Sequence, residues 1–214
     1  MKTTKTTLAK SAALANYVAV GCLLLLGSTH GVCQTKSDDV PAFNTVQYNS
    51  TSWIEYKPAG GRFSVLFPGM PAEQIQTIET VLGKLKLHMS MLLVQHKETF
   101  AFCLTAYNDL PVQVTGEAAV RKVLDGGRDE LFSAKPSRKL IAEKDITLDS
   151  HLGREIRFED GDLNFVQRVF VVTDRTYQVT VGVPNTTRDD EVVKFHDEVR
   201  QKFFASFKVL SSNR

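Results

Sequence analysis

Apolar and polar residues alternate along most of this chain, and twice the period changes. In the stretch from Gly61 to Pro71, Phe63, Val65 and Phe67 alternate with Ser64 and Leu66, the period of a strand with one face in a core. Pro68 lacks an amide hydrogen and ends the ladder. Pro68-Gly69 fits the centre of a type II turn, with the glycine expected at positive φ. Residues 73–79 follow as a strand in which Ile75 and Thr77 oppose Gln74, Gln76 and Ile78. After a bend at Gly83, Leu85, Leu87, Met89, Met91 and Leu93 share one face. Phe100, Phe102, Leu104 and Ala106 do the same in a strand over residues 99–107. Four strands joined by short turns imply an antiparallel meander.

The first helical period runs from a cap at Thr115 through Ala119, Val120, Val123, Leu124, Leu131 and Phe132. Gly126-Gly127 inside it calls for a kink or for close packing on a sheet. Alternation returns in residues 137–148, with Leu140, Ala142, Ile146 and Leu148 expected inward. Another strand begins at Leu152, and Asp160-Gly161 marks a tight hairpin turn. Residues 163–173 and 177–183 are two β-rich strands bent together at Asp174-Arg175. The second helix opens on Thr187-Arg188-Asp189-Asp190, a capping-box pattern with aspartate in the last place. Its stripe is Val192, Phe195, Val199, Phe203 and Phe207, widened by Phe204. Ser211 to Arg214 are expected to fray.

Composition changes the picture mainly at the N-terminus. Lys2, Lys5 and Lys10 precede the apolar run from Tyr17 to Leu26, and Gly31-Val32-Cys33 offers a small-residue exit into a polar stretch. This is the pattern of a secretory signal, cleaved after Cys33, with an uncleaved anchor as the rival reading. Ala19-Val20-Gly21-Cys22 resembles a lipobox, but the four leucines after it oppose that reading. The expected organisation is a signal over 1–33, a polar linker over 34–52 and one domain over 53–210. Removing the three signal lysines takes 26 basic residues to 23 against 24 acidic ones, so the formal +2 vanishes. A near-neutral domain lacks the electrostatic footprint of a nucleic-acid binder. With Cys22 and Cys33 gone, Cys103 has no disulfide partner within the chain and reads as a buried small hydrophobe.

Candidate chemistry is sparse. His88, His96, His151 and His196 show no metal-ligand spacing, and His196 falls on the polar side of the second helix, where exposure is expected. Glu159-Asp160-Gly161-Asp162 lacks the alternating ligands of a calcium loop, and no Gly-x-Ser-x-Gly elbow occurs. No cofactor is implied. Glu155, Arg157 and Glu159 share one face of a strand with Arg154 opposite, which is the pattern of a shallow polar site or of cross-strand ion pairs. His151, Arg154, Glu155 and Arg168 are the first suspects for a site that converges only in the fold.

The motifs Trp53-x-x-Tyr56, Gly61-Arg62-Phe63-Ser64-Val65, Phe67-Pro68-Gly69-x-Pro71, Leu152-Gly153-Arg154-Glu155 and Phe203-x-x-Ser206-Phe207 give residues 53–210 the look of a family of uncharacterised secreted bacterial proteins. The element order is similar to the PsbP-like fold, also seen in the envelope protein DcrB. That resemblance implies an α+β domain, an antiparallel sheet of about 6–8 strands between helices. It also implies a non-enzymatic accessory or binding role. The expected function is an extracytoplasmic, secreted or periplasmic, module with an envelope or secreted protein as partner. In that reading membrane contact comes only through an uncleaved signal. The alternatives are a secreted hydrolase, or a carrier of a small apolar ligand suggested by Met89, Met91 and the many phenylalanines.

Overall fold

The computed structural model describes residues 43–80, 83–185 and 189–210. The expected signal segment with Cys22 and Cys33, residues 34–42 of the expected linker, Thr187, Arg188 and the expected frayed end Ser211–Arg214 lie outside the described residues. The strands are β1 (Asn44–Gln47), β2 (Ile54–Tyr56), β3 (Phe63–Phe67), β4 (Ala72–Thr80), β5 (Gly83–His96), β6 (Thr99–Asp109), β7 (Lys139–Leu148), β8 (His151–Asp160), β9 (Leu163–Val172), β10 (Arg175–Pro184) and β11 (Lys208–Val209). The helices are α1 (Glu117–Ser133) and α2 (Asp190–Ser206). Among the described residues no helix is long and apolar enough to cross a membrane.

Two meanders, β4-β5-β6 and β7-β8-β9-β10, join edge to edge because β10 pairs antiparallel with β6. The result is an eight-stranded sheet in the order β1-β5-β6-β10-β9-β8-β7, with β4 also on β5. The α+β expectation holds, and the sheet is mixed because β1 runs parallel to the end of β5. Residues 44–47 of the expected linker therefore belong to the sheet. β3 also departs from the expected four-stranded meander: it forms a separate small sheet between β2 and β11.

Each face of the large sheet has its own cover. Met89, Met91, Phe102, Leu104 and Val169 pack with Leu124 and Leu131 of α1. Leu92, Cys103, Val179 and Val181 pack on the other side with Phe195, Val199 and Phe203 of α2 and with Phe63, Val65 and Phe67 of the small sheet. The alternation in β5 and β6 and the stripe on α2 thus face as expected.

Several local expectations fail for identifiable reasons. Gly69 is absent from the positive-φ residues, so Pro68-Gly69 is no type II turn. The glycine answers to crowding, since a Cβ there would stand 2.9 Å from Val46 Cγ1. α1 starts at Gly116, at φ 82°, without a side-chain cap, so Thr115 plays no such part. α2 is capped by Asp189, whose side chain accepts from the Glu191 and Val192 amides, two residues beyond the expected start. Ile75 is exposed, while Ile78 on the opposite face of β4 is buried. Leu140 and Ala142, both expected inward, are exposed too, because β7 carries a bulge near its start and lies at the sheet edge. The two hairpin turns fall close to expectation. Gly161, at φ 60°, joins β8 to β9, and Thr173-Asp174 joins β9 to β10.

Candidate functional site

Residues 154 and 155 are neighbours on β8 and must point to opposite faces of the sheet. Arg154 goes under α1, where its Nη1 meets Asp125 Oδ1 at 2.5 Å and Glu143 Oε1 at 2.9 Å. Glu155 goes to the α2 face, directly across from Arg168 of β9. His151 begins β8 after the Asp149-Ser150 turn, about 13 Å along the strand from Glu155. The four suspects therefore do not converge; only Glu155 and Arg168 meet.

Glu155 is 2% exposed and is surrounded by cations. Its Oε2 accepts from Arg168 Nε at 2.8 Å, and its Oε1 accepts from Arg157 Nε at 3.1 Å and Nη2 at 3.0 Å. Lys144 of β7 stands 3.5 Å from the same Oε1. Burial raises the carboxyl pKa, but the Arg168 hydrogen bond and the charges of Arg168 and Lys144, with the Arg157 hydrogen bond, outweigh it and hold the group below the usual carboxylate range. One carboxylate faces three cations, so the cluster keeps positive charge in excess. Arg200 of α2 stands near enough to feel the charges of Arg157 and Glu155. Desolvation, joined by the charge of Arg157, pulls its pKa down, and Asp197 is its carboxylate partner at 3.0 Å.

Beside this cluster lies a recess of about 280 Å³. Ile146, Thr147 and Leu148 of β7 form its outer wall, Phe170 of β9 and Val179 of β10 its floor, and Phe204 and Phe207 its α2 side. Arg168 belongs to both features. It lines the recess, and its guanidinium lies 4.4 Å from the centroid of the Phe204 ring. Among the described residues its Nη atoms carry no hydrogen bond, which leaves a planar two-pronged donor at the recess wall. The arrangement can hold an anion next to an apolar group.

The other buried charges are committed to architecture. Asp160 takes Arg138 at 3.0 Å and Lys135 at 2.6 Å, and Arg138 also donates to the Leu131 carbonyl near the end of α1. This accounts for the acidic hairpin as a helix anchor. Arg175 grips Asp109 with two hydrogen bonds, donates to the Gly60 and Gly61 carbonyls and lies over Tyr107 at 4.3 Å. His196, expected on an exposed face, is 6% exposed and sits 3.1 Å from Thr99 Oγ1, with burial pushing its pKa down. Cys103 is fully buried, as its reading as a small hydrophobe expects, and its thiol pKa is driven up by desolvation.

Sequence reasoning named Arg157 only as a member of a charged face and did not reach Lys144 or Arg200. The signal for Arg157 was its period-2 relation to Glu155. The signal for Arg200 was its place one turn before Phe204 on α2, which only the packing of the helix makes meaningful.

No protein-family model and no curated protein matches the chain. Among solved structures it is similar to cyanobacterial PsbP (CyanoP) from Synechocystis sp. PCC 6803, the fold that the sequence resemblance named. The identity is 13%, with 86% of this chain and 98% of that chain covered and a TM-score of 0.42. It is also similar to the immunity protein TplEi of the type VI secretion system (T6SS) from Pseudomonas aeruginosa, solved in complex with an "L" peptide. There the identity is 10%, with 75% of this chain and 99% of that chain covered and a TM-score of 0.35.

Proposed function

We propose that this protein is an extracytoplasmic, non-catalytic module that binds a protein partner. The observation that carries the reading is the division of its charged groups. Arg154, Asp160 and Arg175 are buried and bonded into helix and sheet anchors, whereas the cations around Glu155 exceed the charge they neutralise and one of them, Arg168, lines an open recess. A general base or nucleophile must exchange a proton or attack, and a buried ion pair that holds its partner charged opposes that role. The N-terminal signal pattern supports the extracytoplasmic place. The test is cross-linking in cells followed by mass spectrometry of the protein recovered from its own envelope. The expected product is a discrete adduct with one further polypeptide. Recovery only of the bare chain, or of the chain with a small molecule attached, would overturn the reading, and the second result would favour a carrier.

A further inference from the structure

β7 is an edge. It pairs with β8 and, among the described residues, with no other strand. The bulge at Ile141 interrupts its start, but from Ala142 to Leu148 its register with β8 is unbroken. That regular stretch ends in Ile146, Thr147 and Leu148, the outer wall of the recess. A strand's unpaired edge is a template for another strand, and cross-strand neighbours lie about 4.8 Å away. A side chain of an added strand would thus be carried to the mouth of the recess. Its volume of about 280 Å³ falls below the range of about 300–1,000 Å³ for pockets that enclose whole small ligands, so it suits one large side chain. The cations decide the charge of the visitor. Lys144 lies in the same regular stretch of β7, and Arg157 and Arg168 follow on β8 and β9, all three directed at one carboxylate.

From this juxtaposition we propose that the β7 edge and the Arg168 recess form a docking site for an extended acidic segment of a partner protein. The segment adds as a strand beside Ala142–Leu148, seats one apolar side chain against Ile146, Leu148 and Phe204, and lays a carboxylate on Arg157 and Arg168. Main-chain pairing supplies affinity and the recess with its cations supplies selectivity. The inference rests on the reading of the chain as a protein-binding module and names the surface that module uses.

The experiment is selection of a displayed random-heptapeptide library on the folded domain, followed by affinity measurements with the enriched peptides. The expected result is enrichment of peptides with an acidic residue near a large apolar one. Arg157→Glu, a change at a side chain that is 54% exposed, weakens them by about tenfold or more. N-methylation of alternate peptide amides abolishes their binding without touching the protein. A failure to enrich any such peptide, or enriched peptides indifferent to both Arg157→Glu and N-methylation, overturns the docking site. A partner cross-linked in cells together with either of those outcomes leaves the module standing and removes only this surface.

Discussion

At the scale of single residues, Glu155 shows how charge and burial combine. Its folded-state pKa lies below its unfolded one, so it adds stability above the ordinary carboxylate pKa of about 4.3 and loses it as pH falls through the folded value. Glu155→Gln leaves three cations around a neutral amide and should cost about 2–3 kcal/mol at neutral pH. Urea denaturation at neutral pH and at about pH 3 checks the sign. The gap between wild type and variant should narrow in acid, and a gap of constant size would refute the ion-pair account. Arg168 and Glu155 were both legible as suspects because β-rich strands on either side of Asp160-Gly161 had to pair. Arg154 was not separable from them by composition, but strand parity alone sends it to the other face. His196 was misread because Thr99 of another hairpin covers it, and no pattern on α2 announces that contact.

The elements were legible where a strand or helix is covered along its whole length, as in β5, β6 and α2. β7 was not, because register is a property of two strands. Its residues Leu140, Ala142, Ile146 and Leu148 share one parity on paper, interrupted by Lys144. The extra residue at Ile141 sets Leu140 opposite Phe158 and Ala142 opposite Arg157, on different faces of β8. The glycines inside the long strands have a reason that alternation does not reveal. Gly153 stands directly across from Phe170, and Gly182 across from Phe165. A Cβ at Gly153 would lie 2.4 Å from Phe170 Cδ1 and 2.5 Å from the Val169 carbonyl oxygen. The ring fills the space the glycine leaves, as aromatic residues do across from sheet glycines. Gly153→Ala should therefore destabilise by about 1–3 kcal/mol. Adding Phe170→Leu should return part of that loss, and a double-mutant cycle by chemical denaturation measures the coupling. Strict additivity would show that the ring is not the obstacle.

At the scale of the whole molecule, two sheets must hold together, and Arg175 is a bolt between them. Its guanidinium reaches from the start of β10 to Asp109 on β6 and to the carbonyls of Gly60 and Gly61 just before β3. Arg62 repeats the link from the other side through Asp109 and Asp174. Arg175→Met leaves two carbonyls without their donor and should cost about 2–3 kcal/mol by urea denaturation. Hydrogen exchange should quicken most in β2 and β3, while the amides of β5 and β6 keep their order of protection. Uniform acceleration across both sheets would show that the bolt acts on the whole and not on the joint. The overall architecture was foreseeable from element order, but the joint was not, since its parts lie in three separate stretches of chain.

The small sheet carries one more consequence, for the order in which the molecule can be made. β3 is hydrogen-bonded to β2 on one side and, through Ser64 and Phe63, to Lys208 and Val209 of β11 on the other. Everything from β4 to α2 intervenes in the chain. A polypeptide emerging from a ribosome or a secretion channel presents β3 early and β11 last. Until β11 arrives, β3 has a bare edge, and closing so long a loop is entropically slow. The small sheet is thus the last seam to close, and a nascent chain stopped short of Lys208 has β3 open on one side.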